Sequence, residues 1–284
     1  MKTKLIIFVF ACSSVVTPAS AFDFNFGDIG KAIQTLTNVK DATTDIDEPQ
    51  EIELGEAIAS NLLGAAPLVK KPALQQYVNQ VGRWLALQTE RPDLPWRFGV
   101  LDDPNINAFA TPGGNIFITL GLLKRMQSEA ELAGVLAHEI AHVLQKHHLT
   151  AIKKNARSSL LKEAVMQAAD RKGRNQAISK LAGAGSELYA RGLDKDDEFE
   201  ADRMGVVIAA RAGYDPYGLP AVLQILQGIN PQDSDLALMF KTHPTPSDRL
   251  SLLDSLMSKS FEGFDGRPSL TTRFKALGGP SKSP

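Results

Sequence analysis

The chain has 284 residues, 43% of them hydrophobic and 22% charged, which is the composition of a globular protein and argues against a disordered or fibrous one. Its 31 basic and 32 acidic side chains nearly cancel, so nothing in the overall charge points to a nucleic-acid footprint or to a polybasic surface for anionic lipid. A single cysteine, Cys12, rules out a disulfide framework.

Residues 1–21 read as a secretory signal peptide. "MKTK" is a short basic segment, "LIIFVFACSSVV" is apolar, and "ASA" places small residues at Ala19 and Ala21. An apolar stretch of that length falls short of the roughly 20 residues a spanning helix needs. The expectation is cleavage after Ala21 and a periplasmic protein, with lipidation of Cys12 or release from the cell as alternatives. Cleavage removes Cys12 and with it any thiolate nucleophile or ligand. No later stretch is apolar for long enough to cross a bilayer, which leaves at most peripheral membrane contact.

Residues 22–50 read as a leader. Helix-like spacing follows Ile29, and the polar "KDATTDIDEPQ" forms a linker. Between 51 and 90 two helical patterns are interrupted at "GAAP" and "KKP". The period then shortens: Trp96, Phe98 and Val100 alternate, and "NAFA" and "NIFIT" flank the turn "TPGG", which predicts a small antiparallel sheet with a hairpin. "NIFIT" is expected as the edge strand, where an extended peptide could add by backbone hydrogen bonds.

Beyond Gly121 the pattern is helical. Ser128 and Glu131 have capping-box spacing and open a run to Lys146 that is apolar on nearly every side, as in a core helix. Further helices are predicted at 158–170 and 196–211, the latter closed by Gly213. The class is α+β and mainly helical, with one domain at 51–258 and a tail at 259–284 ending in the loose "GGPSKSP".

Four of the five histidines fall within "LAHEIAHVLQKHH", residues 136–148. Residues four apart on a helix share a face, so His138 and His142 can grip one ion, while Glu139, about 100° around the axis, approaches a water bound to it. Two imidazoles and a carboxylate on a buried helix are costly unless a metal satisfies them. His147 and His148 are placed at a solvated helix end.

A catalytic zinc site keeps three protein ligands and leaves one position open, so a third ligand must come from elsewhere. His243 and the carboxylates of "DKDDEFEADRMG" are the candidates. Glu198 and Asp202 stand four apart, so that Glu198 could ligate while Asp202 holds a ligand imidazole from behind. Glu200 is expected to tolerate substitution almost silently. His243 could instead cap the helix at "PSDRL", donate to a developing oxyanion with Arg249 behind it, or plug the metal's open position.

"HEIAH" at 138–142, "EFEAD" at 198–202 and "AGYDP" at 212–216 together resemble the gluzincin zinc metallopeptidases. More narrowly the chain is similar to the CAAX-prenyl-endopeptidase-like family, peptidase family M forty-eight, and to its soluble periplasmic type. "NAFATPGGNIFITLGLL" and "THPTPSDRL" also match, so the likeness runs in order from about residue 50 to 255. The resemblance implies a zincin-like fold and one Zn2+ per chain held by His138, His142 and Glu198. It implies Glu139 as catalytic base and Asp202 behind the ligands.

The expected activity is zinc-dependent endoproteolysis of unfolded, extended or misassembled exported polypeptides. Partners would be those substrates and an outer-membrane protein or its assembly machinery, with no nucleic acid. The alternative is a catalytically restrained, chaperone-like or binding factor of the cell envelope. Against it, structural zinc sites usually fill all four positions with protein ligands, commonly cysteines, and the mature chain offers none.

Overall fold

The computed structural model describes residues 46–154, 192–230, 239, 242–261, 263–264 and 266–277. The signal peptide, most of the leader, the helix predicted at 158–170 and the "GGPSKSP" end lie outside the described residues. Among the described residues no helix is long and apolar enough to cross a membrane.

Helix α1 (Glu48–Ala65) starts on a reciprocal capping box between Asp47 and Gln50 with proline near its first turn. Helix α2 (Pro72–Ala86) follows, then strands β1 (Arg97–Leu101), β2 (Ala108–Thr111) and β3 (Asn115–Thr119), and the short α3 (Leu120–Leu123). The central helix α4 (Glu129–Leu144) is buried along its whole length, as its all-round apolar pattern predicted. Ser128 accepts the Glu131 N–H, but Glu131 reaches back to the Gln127 N–H, one residue before the cap. Residues 147–154 form a further helical segment. Helices α5 (Lys195–Arg211), α6 (Gly218–Gln227), α7 (Pro246–Ser260) and α8 (Thr271–Leu277) complete the order.

The α+β, mainly helical class stands, with the three-stranded sheet beside α4. The sheet is mixed, however. Its order is β1-β3-β2, with β3 antiparallel to β2 across the hairpin and parallel to β1. Because "NIFIT" is β3, the central strand, both of its hydrogen-bonding edges are used and it cannot accept another strand. The edge strand toward α4 is β2. Hydrophobic alternation marks which residues face the core, but neighbour order depends on long-range pairing that the pattern does not encode.

Close helix contacts set the geometry around α4. Gly205 of α5 lies against the backbone of His138, where a Cβ would stand 2.9 Å from the His138 nitrogen. Larger residues there would push α5 away. The close approach brings residues one and two turns before Gly205, Asp202 and Glu198, up to the α4 surface. On the opposite side, α2 and the sheet complete a core in which Leu132, Leu136 and Ile140 are wholly buried, each worth about 1.5 to 3 kcal/mol.

The first residue of α4 carries a buried anion. The Glu129 carboxylate accepts from Tyr77 and Tyr214 hydroxyls, each at 2.8 Å, and from Arg273 of α8. Phe274 beside it is fully buried and meets the Tyr77 ring, so within the stretch read as a tail this residue reaches the domain core. Burial alone would raise Glu129's pKa, but Arg273 and the two tyrosines hold it below 4.5. A carboxyl depressed on folding stabilises the fold above its unfolded value and loses that contribution as pH falls through the folded one. Arg273→Ala is therefore expected to cost about 1.5 to 3 kcal/mol at neutral pH. In denaturant titrations the gap from wild type should narrow as pH drops below about 4.5. A gap constant from pH 7 to pH 3 would contradict this origin.

Candidate metal centre

His138 and His142 project from one face of α4, and their Nε2 atoms stand 3.1 Å apart. Both rings are almost fully buried. From α5, Glu198 presents Oε2 at 3.7 Å from His138 Nε2 and Oε1 at 3.6 Å from His142 Nε2. His243, in the turn before α7, places Nδ1 2.5 Å from Glu198 Oε2. Atoms of His138, Glu198 and His243 lie within 4.8 Å of one another, so four side chains converge on one small volume.

The donor set fits a divalent metal. Two ligands at about 2.0 to 2.1 Å from a tetrahedral ion are roughly 3.3 Å apart, close to the observed imidazole spacing. Two bare nitrogens that near each other would repel without a cation between them. Glu198 Oε1 is buried and accepts no hydrogen bond from the described residues, which is costly unless a metal or its water takes that lone pair.

The surroundings hold these groups in charge states that suit an ion. Burial, with the imidazoles around it, keeps His142 neutral by holding its pKa well below 6.5. Burial would raise Glu198, but His243, His138 and Arg249 bring it down to about 2. His243 moves the other way: burial opposes its charge, yet the Glu198 carboxylate outweighs burial and raises it. Burial pushes the Glu139 carboxyl up from 4.5, with His138 and His243 in partial opposition. Such a shift is in the direction that suits a general base near neutral pH.

Asp202 lies behind His138, with Oδ1 2.9 Å from Nδ1. Arg249 grips the same carboxylate by two bonds, of 2.8 and 2.5 Å, and holds it well below the usual carboxylate range against the effect of burial. Arg249 thus supports Asp202 and His138, where the sequence reading had placed it behind His243. The cap of α7 is Thr245, whose hydroxyl accepts from the Asp248 N–H, so His243 is free of that role.

One expectation fails. His147 is 6% exposed and adjoins the His142 ring, and His148 also packs against that ring, so they do not form a solvated helix end. Burial pushes the His148 imidazole down to about 3. Glu200 carries its partly exposed carboxylate to 3.5 Å from His147 Nε2. The missed signal was the "QKHH" end itself, where the helix breaks: Lys146 has φ +56, a left-handed conformation that redirects the chain.

A cleft opens beside Glu139, His138 and His243, with Asn107 and Ala108 on one rim and Val135, Leu219, Val222 and Leu223 on an apolar wall. Glu139 also lines an adjoining cavity with His142, Glu198 and His243. Asn107 is fixed within the sheet corner: its Oδ1 accepts from the Ala108 N–H and its backbone bonds Thr119.

Comparison with known proteins accords with this arrangement. The chain is 35% identical over 221 residues to the beta-barrel assembly-enhancing protease of Yersinia pestis, covering 74% of this chain and 44% of that protein. With the protein of the same name from Escherichia coli (strain K12) it shares 30% over 258 residues, 88% of this chain and 51% of the relative. The mitochondrial metalloendopeptidase OMA1 of Arabidopsis thaliana is 32% identical over 161 residues, 56% of this chain and 31% of that protein. The chain thus spans about half the length of the beta-barrel assembly-enhancing proteases it matches. A family model matches residues 72–257, from α2 to near the end of α7, and so takes in the histidine pair, Glu198, Asp202 and His243 alike. By that match the chain belongs to Peptidase family M48.

Proposed function

We propose that the protein is a zinc-dependent endopeptidase of the bacterial envelope that cleaves unfolded or extended polypeptides during outer-membrane protein assembly. The observation that carries this reading is the convergence of His138, His142 and Glu198 on one point, with Glu139 lining the same cavities. The relatives' names, a protease that enhances β-barrel assembly and a metalloendopeptidase, support the reaction and the setting. The signal-peptide reading of residues 1–21 supports export to the periplasm.

His138, His142 and Glu198 would hold the ion, with Asp202 and Arg249 setting the His138 ring. Zinc bound there supplies Lewis acidity and lowers the pKa of a bound water towards about 7. Glu139 takes the proton from the attacking water and returns it to the leaving amine. The apolar wall from Val135 to Leu223 accepts a side chain of the substrate, and a narrow cleft favours extended chain over a folded surface. His243, with its pKa raised beside Glu198, donates a hydrogen bond to the carbonyl oxygen as charge develops on it.

Metal content and degradation of an unfolded model protein, compared before and after chelation and zinc restoration, test the reading as a whole. Cleavage that survives complete metal removal would end it. His243→Ala is expected to lower turnover by up to about a thousandfold at equal zinc occupancy. A rise in basal turnover would instead assign His243 the role of a plug, and an unchanged rate would remove both roles.

A further inference from the structure

A ligand imidazole uses one nitrogen for the metal and offers the other as an N–H donor, and whatever accepts that proton fixes both tautomer and ring orientation. For His138 the acceptor is Asp202. For His142 the atom facing Nδ1 is Nδ1 of His147, at 3.0 Å, with the two rings nearly edge to face. A ring in place of a carboxylate is an unusual acceptor, and it imposes a strict proton count.

Only one proton can lie between two ring nitrogens. When His142 turns its Nε2 lone pair to the metal, its proton sits on Nδ1 and the His147 Nδ1 must be bare. The single proton of neutral His147 then belongs on Nε2. That nitrogen faces Glu200 Oε2 at 3.5 Å and Asp197 Oδ1 at 3.7 Å, two carboxylate oxygens placed to accept its N–H.

We propose that His147 is a positioning residue that selects the metal-binding tautomer of His142 and holds its ring, with Glu200 and Asp197 keeping the His147 proton on the far nitrogen. The proposal rests on the reading of His142 as a ligand. It makes α5 the support of both α4 imidazoles, through Asp202 for His138 and through Glu200 and Asp197, by way of His147, for His142.

Chain geometry explains how His147 gets there. On a continuous helix a residue five positions on would point about 140° away from His142. The left-handed Lys146 ends the helix, and the chain turns back so that His147 meets the His142 ring. Lys146 is itself tied down, its Nζ 3.2 Å from the buried Glu51 Oε2, while Glu51 also pairs with Arg91 and accepts from the Gly113 N–H of the hairpin turn.

Zinc affinity, measured by chelator competition on the full chain, separates positioning from packing. His147→Leu fills the space without an acceptor and is expected to bind zinc about 10- to 100-fold more weakly, whereas His147→Gln, whose side-chain carbonyl can accept the Nδ1 proton, should recover most of the loss. Long-range 1H–15N spectra of the zinc-loaded wild type should place the His142 proton on Nδ1 and the His147 proton on Nε2, a readout that does not depend on any variant folding. A folded His147→Leu protein with wild-type affinity, equal losses for Leu and Gln, or a proton on His147 Nδ1 in the loaded protein overturns the proposal. His142→Ala separates this from its premise: unchanged affinity there removes the ligand reading and the proposal together, whereas lost affinity beside an unaffected His147→Leu removes the proposal alone.

Discussion

Glu139→Gln is expected to abolish peptide-bond cleavage while the protein keeps its metal. Glutamine has nearly the size of glutamate and still forms hydrogen bonds, so the buried position, 3% exposed, should be filled without a cavity. What it lacks is basicity. Burial raises the Glu139 carboxyl, with His138 and His243 in partial opposition, a direction that suits the proposed exchange of a proton with water and a leaving amine. Loss of a positioned general base typically costs about a hundredfold to ten-thousandfold in rate. Turnover of an unfolded protein, with zinc measured on the same sample, checks both halves of the expectation. A zinc-replete variant that cleaves at the wild-type rate would take Glu139 out of the reaction.

Glu198→Ala and Asp202→Ala should separate in what they lose. Among the described residues Glu198 has one oxygen without a hydrogen-bond partner, and both oxygens lie within 3.7 Å of the His138 and His142 Nε2 atoms, so its removal should strip the metal or weaken it far more than any neighbour does. Asp202 touches no such point. It holds His138 Nδ1 and the buried Arg249, and its loss should cost about 10- to 100-fold in affinity or activity. A second loss accompanies it, because Arg249 would remain buried without its counter-ion. Removing one partner of a buried pair costs about 3 to 5 kcal/mol, so Asp202→Ala should also melt early while Glu198→Ala keeps more of its stability. Zinc titration and thermal unfolding of the two variants together decide the matter. The reverse ranking in affinity would move the ligand one helical turn along α5.

Much of the centre was legible because it is local. His138 and His142 form an i, i+4 pair, Glu198 and Asp202 form another, and helix geometry alone orients each pair on one face. The end of α5 at Gly213, with φ +92, and the α1–α2 break between Ala65 and Pro72 followed from backbone chemistry at single residues. Arg249 was legible only as a member of the site. Its distance in sequence from Asp202 gives no hint of the two bonds between them, and a bidentate arginine finds its carboxylate only once α7 lies beside α5.

The sequence by itself marked the helices that carry the histidine pair and the acidic pair, the three strands, and the candidate ligands and base, because each depends on periodicity or on contacts within a turn or two. Tertiary structure alone decided that β3 lies between β1 and β2, since strand order is settled by pairings across the chain and not by which side chains are apolar. It also decided that His147 turns back to His142 and Glu200 approaches it, because one left-handed residue, Lys146, cancels the helical phase from which a solvated end was read. The docking of Arg273 and Phe274 onto the start of α4 belongs to the same class. A short polar helix carries no signal of burial until the buried Glu129 and Tyr77 are there to receive it.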